Sequence, residues 1–151
     1  MDDCSFYGET FGERMEGAVR RIFELIETTS EVESKLLLMN LLKILATQAQ
    51  DQFRRVAKPV MERLLSLWLS FSDVPMIKSS ILRVLSEILP LFGVLSDSFS
   101  VLFPILLQST DVSHKDSLYL LDDGLSLWII MRLSFSFPLS LPFSSSFQST
   151  L

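Results

Sequence analysis

Apolar side chains along this chain recur at intervals of three and four residues and seldom alternate singly with polar ones. That spacing returns side chains to one side of an α-helix. A strand would need a repeat of two. Met15, Val19, Ile22 and Ile26 form the first stripe, with Arg14, Arg20, Arg21, Glu24 and Glu27 mostly off it, so an amphipathic helix is predicted over 11–27. Thr10 followed by Glu13 has the spacing of a capping box, in which each side chain satisfies a free backbone N–H at the helix start.

The next helix is predicted to open at Ser30, with Glu33 three residues on. Leu36, Leu37, Leu38, Met39, Leu41, Leu42, Ile44 and Leu45 occupy nearly its whole circumference. A helix apolar all round requires cover on several sides, so it is expected to lie between neighbouring hairpins and to anchor the fold. Each leucine fully buried there contributes about 1.5–3 kcal/mol before entropy is subtracted.

A third helical stretch spans 52–71, with Val56, Val60, Leu64, Leu67 and Phe71 on one stripe and Pro59 inside it. Either the helix kinks at Pro59, or Pro59 opens the helix proper, where its missing N–H costs nothing. Another helix starts at Asp73 with Pro75 in its first turn; it carries Ile77, Ile81, Val84, Leu85, Ile88 and Leu89, and is closed by Pro90 and Gly93. A shorter apolar segment over 99–107 contains Pro104, and a final helix is predicted from Ser113 through Trp128.

The order is helix, turn, helix, repeated. A faint internal echo accompanies it. Pro59 and Pro104 lie 45 positions apart, and Asp73-Val74 and Asp111-Val112 lie 38 apart. Those intervals bracket the period of HEAT and armadillo units. The predicted fold class is therefore all-α: a HEAT/armadillo-type α-solenoid fragment of three to four antiparallel helix pairs over 1–133. From Ser134 onward only Ser, Phe, Leu and Pro occur as far as Phe147. Pro138 and Pro142 break any helix, and 134–151 is expected to be a disordered, low-complexity tail.

Composition agrees with a packed helical chain. Of the 151 residues, 48% are apolar and 21% charged, and five glycines and six prolines are too few for a turn-dense fold. A net charge of -5 argues against nucleic-acid binding, which needs a surplus of Lys and Arg on one side. Cys4 is the only cysteine and His114 the only histidine, so neither an internal disulfide nor a structural zinc site is expected. A reducing compartment fits best. The acids at Asp2 and Asp3 stand where a secretory leader carries positive charge. The longest apolar region, 118–147, is interrupted by Asp122, Asp123, Arg132, Pro138 and Pro142, which disfavours a membrane span.

One segment is more specific than periodicity. Ser109-Thr110-Asp111-Val112-Ser113, a short gap, and then Tyr119-Leu120-Leu121-Asp122-Asp123-Gly124-Leu125-Ser126-Leu127-Trp128 resembles nuclear transport receptors of the importin-beta (karyopherin) superfamily, in their importin-eleven-type branch. Asp2-Asp3 before a Phe-rich turn, Glu33-Ser34-Lys35, and Trp68 fit the same pattern, so the resemblance covers 1–131. It implies a protein-binding HEAT superhelix that moves between cytoplasm and nucleus, binds cargo proteins on a concave surface, passes nucleoporins and releases cargo to Ran-GTP. It implies no enzyme activity and no cofactor. The superfamily's main Ran-binding repeats are absent from this stretch, and after Ile130 the Ser/Phe/Pro tail replaces the helix that such receptors continue. The resemblance thus implies a truncated product or gene model whose tail comes from a non-native exon end. A HEAT-repeat scaffold or regulatory subunit outside transport is the alternative.

Candidate binding residues lie on the same helix. Tyr119, Asp122, Asp123 and Ser126 share one side at i, i+3, i+4 and i+7, and Leu118, Leu121, Leu125 and Trp128 form the opposing stripe. The polar side reads either as an acidic patch with an aromatic neighbour, suited to a Lys/Arg-rich segment, or as a solvated surface over a core tryptophan. Arg54, Arg55, Lys58 and Arg63 form a basic turn that meets either an acidic partner or solvent, and Trp68 is expected in the core. Ser113, His114 and Asp116 have the residue types of a nucleophile and base but no strand-to-helix elbow; Ser113 with Asp116 is read as a helix cap. No Gly-rich phosphate loop or metal-ligand spacing occurs, so no catalytic or metal-binding residues are expected.

Overall fold

A computed structural model describes residues 3–92 and 96–135, with side chains described outside 3–10, 96–99 and 134–135. Among the described residues there are seven α-helices and no strand: α1 (Asp3–Thr28), α2 (Val32–Gln48), α3 (Gln50–Phe53), α4 (Ala57–Ser70), α5 (Pro75–Ile88), α6 (Ser96–Thr110) and α7 (Ser117–Phe135). A 3-10 turn (Leu89–Leu91) follows α5. Three hairpins result, α1/α2, α4/α5 and α6/α7, with the one-turn α3 leading into the second. This is the all-α helical repeat that the periodicity predicts.

The hairpins stack unevenly. The second helices form a close layer in which α2 packs on α5 and α5 on α7. Glu33, Met76 and Leu118, all from the first turns of these helices, line one groove, so the three helices run in the same direction. The first helices are spread farther apart, and a cleft of about 180 Å³ separates α1 from α4 between Val19, Phe23 and Val60. One continuous core runs through all three hairpins, including Ile26, Met39, Leu42, Leu64, Ile81, Leu85, Leu106 and Leu127. α5 sits between two neighbours and buries eight of its positions, among them Ile77, Val84 and Ile88.

The first stripe is where the spacing places it: Met15, Val19, Ile22 and Ile26 are buried, and Phe23 joins them at 0% exposure. The predicted capping box and the predicted start of the second helix are both overturned. Thr10 lies inside α1, which already runs from Asp3. Ser30 precedes α2, whose N-cap position is Glu31, and it is the Ser34 hydroxyl that bonds Glu31 Oε2 at 3.2 Å. Lys35 joins the first hairpin instead. Its ammonium donates to the carbonyl of Ile26 at 2.5 Å and lies 4.8 Å from the centre of the Phe71 ring. A cation there meets a carbonyl left open in the last turn of α1 and the negative end of that helix dipole.

Pro59 falls in the first turn of α4, which settles its two readings in favour of helix opening, while Pro75 is the first residue of α5. Pro104 lies in the middle of α6, so the two prolines of the internal echo are not equivalent positions. Asp73-Val74 directly precedes α5, but Asp111-Val112 is separated from α7 by a further turn. α7 accordingly starts later than Ser113 and continues beyond Trp128, to Phe135. It crosses the boundary expected after residue 133, and the rest of the expected tail, 136–151, lies outside the described residues.

Two apolar expectations also change. α2 is covered by α1, α3 and α5, with Lys35, Met39, Leu42 and Ala46 buried and Leu36, Leu38 and Leu45 half-buried, but one side stays open: Leu37 is 71% exposed, with Leu41 and Ile44 exposed beside it. On α7 the buried stripe is Leu120, Gly124, Leu127 and Met131. Leu118 and Leu125, in the stripe that spacing sets opposite the polar side, are exposed, and Leu121 and Trp128, the latter expected in the core, are half-buried. A helix apolar on most sides gives its own sequence no means of choosing which side is inward; its neighbours choose.

Candidate protein-binding groove

The close packing of α2, α5 and α7 leaves a groove of about 780 Å³ along their outer surface. Leu36 and Leu37 stand on the α2 wall, Met76 on α5, and Leu118 and Tyr119 on the α7 wall. Between these apolar patches lie Glu33, Asn40, Lys43, Ser80, Arg83, Asp122 and Asp123. Apolar patches interrupted by polar and charged groups are the mixture found where one protein surface meets another.

Three of the four candidate residues meet at this groove. Tyr119 is 59% exposed along it and Asp122 is exposed beside it. Asp123 is largely occupied within the protein: Ser79 Oγ donates to its Oδ2 at 2.5 Å and Arg83 Nε donates to its Oδ1 at 3.1 Å. That carboxylate clasps α7 to α5. Ser126 does not line the groove; its hydroxyl donates to the carbonyl of Asp122 at 2.9 Å, back onto its own helix. The free negative charges are therefore Asp122 and, on the opposite wall, Glu33, neither of which has an ion-pair partner among the described residues. Periodicity on α7 alone missed Glu33 and Tyr119's apolar neighbours, because the groove joins residues more than eighty positions apart.

The remaining candidates serve other ends. Arg63 Nη2 pairs with Glu27 Oε1 at 3.2 Å and its guanidinium lies 4.9 Å from the Phe23 ring centre, which ties α4 to α1. Trp68 is buried, as expected, and its Nε1–H donates to Gln108 Oε1 at 3.1 Å across α4 and α6. Lys78 is nearly inaccessible and places its ammonium 5.1 Å from the Trp68 ring centre. Trp128 meets Phe103 edge to face, with centroids 5.9 Å apart.

Ser113, His114 and Asp116 are not arranged for catalysis. The Ser113 hydroxyl donates to Asp111 Oδ1 at 2.5 Å, and the Ser113 N–H to the same oxygen at 2.9 Å. His114 Nδ1 accepts the N–H of Asp116 at 3.2 Å. Ser113 thus belongs to a turn closed by Asp111 and does not pair with Asp116 as a cap. The carbonyl of Asp116 accepts the first N–H groups of α7, from Tyr119 and Leu120. The two hydrogen bonds from Ser113 hold the Asp111 carboxyl below the usual carboxylate range.

No protein-family model and no solved structure matches the chain. Over 131 residues it is 28% identical to Importin-11 of Mus musculus and, to the same extent, to Importin-11 of Homo sapiens. The match takes in 86% of this chain and 13% of each relative, so the chain spans a small part of the length of the relatives it resembles. No helix among the described residues is long and apolar enough to cross a membrane.

Proposed function

We propose that this chain is a segment of a nuclear transport receptor of the importin-beta superfamily, in which the α2–α5–α7 groove holds a stretch of a cargo protein and no chemistry is done. The similarity to Importin-11 along 86% of the chain carries this reading, and the groove gives it a physical form. Glu33 and Asp122 put unpaired negative charge on opposite walls, while Leu36, Met76 and Tyr119 offer apolar surface between them. A Lys/Arg-rich segment with an apolar anchor matches both features. Contact with nucleoporins and Ran-GTP, and residence in cytoplasm and nucleus, belong to the parent receptor.

Fluorescence anisotropy with labelled peptides tests the groove directly. Basic peptides with one aromatic or aliphatic anchor are expected to bind, more weakly as salt rises. The Glu33→Lys/Asp122→Lys chain is expected to lose most of that affinity while its circular dichroism is unchanged. Equal binding by the two chains, or preference for acidic peptides, would remove the groove from the mechanism. Pull-downs from cytosol separate transport from scaffolding: a stable complex indifferent to Ran-GTP, with no nucleoporin recovered, would favour the scaffold.

A further inference from the structure

Charge along the α2–α5–α7 groove changes sign. On α2 the lining runs Glu33, Leu36, Asn40 and Lys43, at the intervals of three and four that keep side chains on one side of a helix. Because the three helices run in the same direction, position along the groove follows from distance past each first turn. Glu33 lies at the start, Asp122 is one turn past Leu118, and Lys43 is nearly three turns past Glu33, about 15 Å along the axis. Arg83 is engaged by Asp123, whose carboxylate accepts its Nε–H at 3.1 Å. Lys43, like Glu33 and Asp122, has no ion-pair partner among the described residues. The positive N-terminal ends of the helices offset Glu33 within the first turn, but Asp122 lies beyond their reach. Unpaired charge in the groove is therefore negative as far as Asp122 and positive at Lys43.

We propose that the protein segment held here carries charge of both signs at a set spacing. A Lys or Arg meets Glu33 and Asp122, an apolar side chain beside it meets Leu36, Met76 and Tyr119, and an Asp or Glu meets Lys43. This rests on the reading of the groove as a protein-binding surface, and it narrows the occupant from a basic segment to a bipolar one. A segment basic throughout sets its last cation against the Lys43 ammonium, where like charges repel. Lys43 is half-buried, so solvent and salt screen that repulsion less than they would on an open surface. Extended backbone spans the distance from Glu33 to Lys43 in about four or five residues. Lys43 is thus the specificity-determining residue of the groove, since it alone separates bipolar from uniformly basic segments.

Three labelled peptides of equal length test this by fluorescence anisotropy at low salt. All share one apolar anchor beside a Lys, and they differ only at a second position about five residues away, which is Glu, Gln or Lys. The unaltered chain is expected to bind the Lys/Glu peptide tightest and the Lys/Lys peptide weakest, each step being about two- to fivefold, the range of an exposed ion pair. In the Lys43→Glu chain the order is expected to reverse. Lys43→Gln, a milder change, is expected to remove the advantage of Lys/Glu over Lys/Gln. Equal or tighter binding of Lys/Lys by the unaltered chain overturns the bipolar proposal and leaves the groove as a site for basic segments. A ranking that neither substitution at Lys43 alters overturns it in the same way. Failure of all three peptides to bind removes the groove itself, and the proposal with it.

Discussion

At the scale of single residues, close approach and hydrogen bonding explain positions that periodicity leaves blank. Gly124 is buried where α6 meets α7, and a Cβ placed on it would stand 2.5 Å from Ser109 Oγ and 3.0 Å from Ser109 Cβ. Ser109 cannot swing away freely, since it is fully buried and its hydroxyl donates to the carbonyl of Leu106 at 3.0 Å. Gly124→Ala is expected to lower stability by about 1–3 kcal/mol through overpacking, outweighing the gain in helix propensity. Urea denaturation measures it, and adding Ser109→Gly is expected to return part of the loss; additive effects would mean that the two positions do not collide. Asp111 offers a pH-dependent counterpart. Its carboxyl is held low by the Ser113 hydroxyl and N–H, so the folded state favours its charged form. The stabilisation is complete above the ordinary carboxylate range and fades as pH falls through the folded value. Carbon-detected NMR titration is expected to find Asp111 below an ordinary aspartate, and Ser113→Ala to move it upward; an unchanged midpoint would remove the hydroxyl as the cause.

At the scale of elements, the difference between α1 and α7 shows what a sequence discloses and what it withholds. α1 alternates charged and apolar sides, and Met15, Val19, Ile22 and Ile26 are buried as their spacing requires. In α7 nearly every side carries Leu, Ile, Met or Trp, so spacing identifies a helix without orienting it. Its inward stripe follows Gly124 and Leu127, because the glycine admits α6 and thereby sets the rotation. The same ambiguity affected α2, where abundance of leucine suggested cover on several sides without telling which side, that of Leu37, Leu41 and Ile44, stays exposed. The acidic groove was half legible: Tyr119 and Asp122 were visible as a helical pair, whereas Glu33 enters only through stacking and Asp123 is drawn off by Ser79 and Arg83. A substitution pair separates the two registers. Leu85→Ala, at 0% exposure in α5, is expected to cost about 2–5 kcal/mol. Leu125→Ala, on the exposed side of α7, is expected to change stability by about 0.5 kcal/mol or less. Comparable losses at both positions in denaturant melts would mean that Leu125 turns inward.

At the scale of the whole molecule, stability follows from position in the stack. In a helical repeat each hairpin contacts only its neighbours, so the energy of folding is a sum of hairpin and interface contributions. The α4/α5 hairpin takes part in both interfaces of the α2–α5–α7 layer, while α2 and α7 each have one and expose the other side. Opening an edge hairpin sacrifices one interface. Opening the middle sacrifices both. Native-state amide exchange is therefore expected to show slowest exchange in α5, with α2 and α7 opening at lower free energy through sub-global events. Uniform exchange across all three helices would instead mark one indivisible cooperative unit, and the account of this chain as a stack of separable layers would fail with it.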